Sequence, residues 1–241
     1  MKYLFVGTCT LFLLGTMALV LYTHPTKSYR PVTFLAQNST LSNLAHERIA
    51  AIAKTYPHNT ELFKSILQHF PALLNIHISR SGSGLQQIEY DIEKPIACIK
   101  PKNGSTSAIL FANGTTLPEE LIAEDITARL PIIIIHTESI FENLSEQEKE
   151  AYAHLIASIS SQVLLNHTIT LLNKTLLVLQ DAEQECQLWC SPATPLSFIE
   201  RSITYADNKK SSTTTHAPYI IETRIPQTII IKNKSKGWIP L

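Results

Sequence analysis

Apolar and polar positions change period along the chain, and each change marks an element. In "STLSNLAHERIAAIAKTYP", Leu41, Leu44, Ala45, Ile49 and Ile52 recur at helical spacing. Ser39, Thr40 and Ser42 stand before this run as N-cap candidates, and Pro57 closes it. A second helix is predicted over "NTELFKSILQHFP". Its stripe is Leu62, Phe63, Ile66, Leu67 and Phe70, its cap is Asn59 or Thr60, and Pro71 stops it. The period then falls to two. "LLNIHISR" reads as a strand and "SGSG" as a loop. "LQQIEYDIEK" alternates Ile88, Tyr90 and Ile92 with Glu89, Asp91 and Glu93, the pattern of a half-buried strand. Pro95 interrupts it and "IACIK" resumes it. With a short strand at 32–35, residues 32–101 predict a β-α-α-β-β unit in which two helices cover one face of a small sheet.

Residues 102–233 predict a second, mixed and β-rich domain. "AILFANGTTLP" is a strand leading into Asn113-Gly114, a dipeptide that favours tight hairpin turns. "RLPIIIIH" carries the continuous apolar run of a strand buried on both faces. "LSEQEKEAYAHLIASISSQVL" opens with Ser145 and Glu148 at capping-box spacing and continues on Leu155, Ile156, Ile159 and Val163. "HTITLLNKTLLVLQ" reads as two strands around Asn173-Lys174, "TPLSFIERSITYA" as a short helix, and "DNKKSSTTTHAP" as a polar loop. The last apolar stretch, "YIIETRIPQTIIIK", reads as β-structure with Pro226 in its middle, and residues 234–241 as a tail. The fold class is therefore α+β.

The N-terminus adds a membrane. Residues 3–23, from Tyr3 through Leu13 to Tyr22 and beyond, carry no charge and match the roughly 20 residues a helix needs to cross a bilayer. A cleaved signal peptide competes, with Met1-Lys2 as its basic end. The run exceeds the usual apolar region of about 7–15 residues, and no A-x-A-like site follows it. The reading is an uncleaved anchor over 1–23 with a short cytoplasmic tip, a linker over 24–31, and export of the rest. Lys plus Arg and Asp plus Glu both number 20, so the net charge is zero, which argues against a nucleic-acid partner.

Chemistry is sparse. There is no G-x-S-x-G, Walker loop, H-E-x-x-H or paired C-x-x-C. No enzyme activity, cofactor, metal or small-molecule substrate is expected. Cys186 and Cys190 in "CQLWC" read as a local disulfide or as two partly buried thiols. Seven asparagines (38, 103, 113, 143, 166, 173 and 233) lie in N-x-S/T sequons, which in a eukaryotic secretory protein would mark a glycosylated ectodomain.

In this order the motifs resemble the FtsQ/DivIB family of bacterial division proteins, in which a POTRA domain precedes a β domain. "FPALLNIHISRSGSGLQQIEYDIEKPIACIK" is similar to the family stretch from the end of the second helix, and Lys94-Pro95-Ile96-Ala97 to its Arg/Lys-Pro-x-Ala motif. "AILFANGTTLP" and "RLPIIIIH" look like the next strands, and "YIIETRIPQTIIIK" like the closing acidic-x-Arg pattern. The chain departs from the family at Gln37-Asn38, where Gly-Asn is usual, and at Ile225, where an aromatic is common. The resemblance implies a single-pass type II protein of the inner membrane, with its bulk in the periplasm and concentrated at the septum. It also implies a scaffold that binds an FtsB/FtsL-type complex through its last strand and helps control septal peptidoglycan synthesis.

On that match, partner contacts are expected at Arg224, Ile225, Gln227, Thr228, Ile229, Ile230 and Ile231, with Arg201 as a further charge for an acidic partner. Proline belongs at edges and bulges, so Pro226 marks an edge strand or a turn before Thr228. Strand alternation leaves a competing reading in which Ile229 and Ile231 fill the core. A glycosylated type II ectodomain and a periplasmic POTRA-like assembly factor remain as alternatives.

Overall fold

The computed structural model describes residues 32–36, 40–56, 58–80, 86–104, 106–135, 143–159, 163–164, 166–181, 183, 185–212, 218–225 and 228–233. The apolar block at 3–23, with Tyr3, Leu13 and Tyr22, lies outside them, as do the SGSG loop, Pro226 and Gln227. Among the described residues no helix is long and apolar enough to cross a membrane.

The chain is mixed α+β, with one small and one large sheet. β1 (Val32–Ala36), α1 (Asn43–Thr55), α2 (Asn59–His69), β2 (Leu73–Arg80) and β3 (Gln86–Ile92) form the first unit. Its three strands lie in the order β1-β3-β2, with β1 parallel and β2 antiparallel to β3. Ser42 is the N-cap of α1, its hydroxyl accepting from the Ala45 N–H at 3.3 Å. α1 buries Ala45, Ile49 and Ala53, while Leu44 of the predicted stripe stays exposed. α2 starts one residue earlier than expected: His58 is its N-cap, without a side-chain bond, and Asn59 instead donates to the Ile78 carbonyl. Leu62, Ile66 and Phe70 carry its buried face, and Phe63 is exposed. Full burial of each such side chain stabilises by about 1.5–3 kcal/mol.

Among the described residues the larger sheet has nine strands, in the order β12-β11-β10-β9-β8-β7-β4-β5-β6. They are β4 (Pro95–Pro101), β5 (Ala108–Phe111), β6 (Thr116–Pro118), β7 (Ile132–Ile135), β8 (His167–Asn173), β9 (Leu176–Asp181), β10 (Cys186–Cys190), β11 (Tyr219–Glu222) and β12 (Ile230–Asn233). The sequence reading carries residues 95–101 with the first unit, but strand pairing puts β4 between β5 and β7. Side chains at 96–99 are all buried, as an interior strand requires. The chain turns out of the small sheet at Pro95.

Asn113-Gly114 does close the β5–β6 hairpin. Gly114 sits at φ +82°, and the Asn113 Oδ1 accepts from the Thr115 N–H at 3.0 Å. β7 is interior, paired parallel with both β4 and β8, yet Ile132 is 48% exposed, so only one of its faces is fully covered. The helix α4 (Glu146–Ser158) starts at the expected capping box and ends at Ser158, short of Val163. α4 and the helix α5 (Leu196–Ser212) cover one face of the sheet in a core that includes Tyr152, Ile156, Ile199, Leu179, Leu188 and Ile221. α5 runs through "DNKKSS", where a loop is expected. There Lys209 sits 3.7 Å from the Tyr219 ring centroid and Tyr205 packs edge-on against the same ring, contacts that outweigh the local polarity.

The two units share a core. Leu41, Ile49 and Phe70 of the first unit join Cys98, Ile109, Phe111 and Leu117 of the second in one apolar cluster. A 3-10 turn (Glu119–Leu121) and a short helix α3 (Glu124–Thr127) follow β6. They bring Ile122 to bridge Leu41 and place the Leu121 carbonyl 3.0 Å from the Ser42 N–H, which donates to it.

Candidate docking edge

β12 is the last strand in its sheet and pairs antiparallel with β11, Glu222 opposite Ile230 and Ile221 opposite Ile231. Its outer side meets no strand among the described residues. The Thr228 N–H donates to the Ile225 carbonyl at 3.1 Å, and the turn or edge expected at Pro226 lies outside the described residues.

None of the three consecutive isoleucines is in the core. Ile229 is 37% and Ile231 45% exposed, and Ile230 is half-buried. The core-filling alternative for Ile229 and Ile231 is therefore corrected. β11 already supplies Tyr219 and Ile221 to the core under α5, and β12 lies beyond that cover. Ile225 is 45% exposed, Thr228 exposed and Arg224 half-buried. Arg201 is exposed on α5, which packs on the face carrying Ile221, whereas Glu222 and its partners occupy the opposite face. The structure thus gathers Arg224, Ile225, Thr228, Ile229, Ile230 and Ile231 at one edge, with Arg201 on the neighbouring helix α5.

The pattern of residues does not announce the group behind this edge. Glu222 is 5% exposed. One of its oxygens accepts from Arg224, with Nε at 2.8 Å and Nη2 also bonded, and the other accepts from Lys232 on β12. Burial pushes this carboxyl up, but the bonds and charges of Lys232 and Arg224 outweigh it and hold it below the usual range. Both cations lie by the Trp189 ring, the Arg224 Cζ at 5.2 Å and the Lys232 Nζ at 5.8 Å from its centroid. Behind the ring, Trp189 Nε1 donates to Gln187 and Gln187 Nε2 donates to Gln180, which satisfies a row of buried amides. The N–H and hydroxyl of Thr223 both donate to the Trp189 carbonyl at 2.9 Å, fixing the chain between Glu222 and Arg224.

Cys98, Cys186 and Cys190 are buried thiols that form no disulfide. Cys186 and Cys190 occupy the two ends of β10, about 13 Å apart at strand rise. A disulfide needs Cα atoms within about 7 Å, so the local disulfide is excluded. Burial pushes the Cys98 thiol up to about 11 and the Cys190 thiol up to about 12. Among the described residues no group of three or more His, Cys, Asp or Glu is placed to hold a metal ion. A cavity of about 420 Å³ lies between α5 and the sheet, floored by Leu179, Leu188 and Ile221. Two polar groups at its wall are tied to backbone. His167 Nδ1 donates to the Val163 carbonyl at 2.7 Å, and Asp181 accepts from the Glu185 and Cys186 N–H groups at 2.9 and 3.2 Å.

No family model matches the chain, and no curated protein matches it. Among solved structures the chain is similar to the major extracytoplasmic domain of the trans isomer of the bacterial cell division protein DivIB from Geobacillus stearothermophilus. The match covers 52% of this chain and 99% of that domain, at 10% identity and a TM-score of 0.34.

Proposed function

We propose that this chain is a non-enzymatic scaffold of the bacterial division machinery. It is held in the inner membrane by one N-terminal helix and exposes its two units to the periplasm. It captures a strand of an FtsB/FtsL-type partner complex on β12 and so helps control septal peptidoglycan synthesis. One observation carries the reading: among the described residues, the last strand of the larger sheet has an outer edge that no strand covers, flanked by exposed Ile229 and Ile231 and by Arg224. An unpaired edge supplies the backbone groups an incoming strand needs, and alternate side chains supply its specificity. The β-α-α-β-β order of the first unit, with strands β1-β3-β2, agrees with a POTRA-like module, and the order of the sequence motifs agrees with the FtsQ/DivIB plan.

The experiment is localisation. A fluorescent fusion to the full chain, expressed in dividing cells of its host, concentrates at the septum. Uniform membrane fluorescence through division overturns the proposal. A second reading, a glycosylated ectodomain, draws on the exposure of the sequon residues Asn103, Asn143, Asn166 and Asn173. A glycosidase-sensitive gel shift of the chain from its native cell selects it.

A further inference from the structure

β12 is four residues long, and among the described residues it is held to the sheet from one side only. With Ile229 and Ile231 exposed, it has little apolar burial to keep it in place. Side-chain contacts across the β11–β12 pair supply the rest. Lys232 stands opposite Ile220 and reaches diagonally to Glu222, whose own opposite residue is Ile230. The second Glu222 oxygen is occupied by Arg224. One buried carboxylate therefore joins β11, β12 and the segment after β11, and both cations it holds also lie against Trp189 of β10. Without that carboxylate, two positive charges would face each other beside one ring and repel.

We propose that Glu222 is the positioning residue of the docking edge, holding β12 in register through Lys232 and holding Arg224 against Trp189, so that the edge is assembled before any partner arrives. This role rests on reading β12 as the docking edge. Preassembly lowers the ordering cost of binding, because the partner need not immobilise a frayed strand and a free arginine. Thr223, doubly bonded to the Trp189 carbonyl, makes the arrangement rigid between the two groups it separates. The depressed carboxyl of Glu222 agrees with a residue kept charged for this purpose.

The test needs no partner. The full-length chain is kept in mild detergent, and amide hydrogen exchange is followed at residues 230–233, with β8 and β9 as internal controls. Trp189 emission is read in a Trp238→Phe background, since the chain has two tryptophans. Glu222→Gln raises exchange in β12 roughly ten- to hundredfold, the scale of a lost charged hydrogen bond. It leaves β8 and β9 protected and shifts Trp189 emission as the cations leave the ring. Lys232→Met loosens β12 in the same way, and the Glu222→Gln/Lys232→Met double variant adds little to either single change. Unchanged β12 exchange, equal loosening of the whole sheet, unmoved Trp189 emission, or strictly additive effects overturn the proposal. If Glu222→Gln does not fold, Lys232→Met decides: loosening confined to β12 supports the role, and unchanged exchange overturns it. Septal localisation is read separately, so failure here and failure of the scaffold reading are distinguishable.

Discussion

Replacing Ile229 and Ile231 together by lysine separates docking from folding. Full burial of an isoleucine is worth about 1.5–3 kcal/mol. Ile229 and Ile231 retain 37% and 45% of their exposure, so a covering partner gains about 1 kcal/mol at each. The double change removes that gain and asks the partner to desolvate two ammonium groups. Affinity should fall at least about 30-fold, the factor that corresponds to roughly 2 kcal/mol. The fold should tolerate the change, because lysine stems still cover part of the surface and edge strands carry lysine readily. A loss of about 1–2 kcal/mol shifts Tm by only a few degrees in a chain of this size.

The assay is a binding titration of the full chain, in detergent, against a purified FtsB/FtsL-type complex, with thermal unfolding in parallel. The matched control is Ile132→Lys. Ile132 is 48% exposed, as open as Ile231, but it sits on β7, whose backbone is paired on both sides. It therefore offers apolar surface without an edge, and its substitution should leave binding unchanged. The reasoning is refuted if the double variant binds within about threefold of the parent, or if Ile132→Lys weakens binding equally. The first outcome means the edge is not the surface; the second means exposed apolar area, not strand addition, drives capture.

Three further outcomes follow from the same packing. Gly114→Ala should destabilise by about 2–5 kcal/mol in chemical denaturation: φ is +82°, and the new Cβ would meet the Glu150 backbone nitrogen at 2.6 Å, a backbone atom that cannot swing away. Glu222 is held below its usual 4.5, so its stabilising contribution is complete above about that pH and disappears as pH falls through the lower folded value. Denaturation curves of the parent and Glu222→Gln should therefore differ at pH 6–7 and converge in acid, and a constant difference across the range would contradict the linkage. The Cys98 and Cys190 thiols, pushed up to about 11 and 12, should resist a disulfide reagent at pH 8 until the chain unfolds. Rapid native labelling of either would mean that its strand opens.

What the sequence made legible was local. The Ser42 cap, the Ser145–Glu148 capping box and the Asn113-Gly114 hairpin depend on residues three or four apart, and all occur in the structure. Elements decided by distant neighbours were harder to read. "IACIK" looks like the continuation of its preceding strand until the parallel partner Ile132–Ile135 is known. "CQLWC" shows no alternation because both its faces are buried, and α5 outlasts its own polarity because Tyr219 receives Lys209. The docking edge lies between these cases. Pro226 and the apolar run mark it locally, but Glu222, Trp189 and Lys232 meet only through the β10–β11–β12 order. The single local hint of that group was the acidic-x-Arg spacing of Glu222 and Arg224.

The two ends of the nine-stranded sheet are treated differently, and the contrast bears on function. At the β6 end the strand is three residues long, finishes in Pro118 and turns at once into the 3-10 segment. Leu121 and Ile122 then lock against Ser42 and Leu41 of the first unit. A short strand, a proline and a covering segment are three devices that keep an edge from recruiting another chain. At the β12 end, the lysine that could serve the same purpose points inward to Glu222, and isoleucines occupy the exposed positions. Among the described residues one edge is protected and the other is left apolar and held in register, an edge that would aggregate unless something covers it. A scaffold of the proposed kind has to carry that liability, because the groups that make an edge sticky are the groups an incoming strand would pair with.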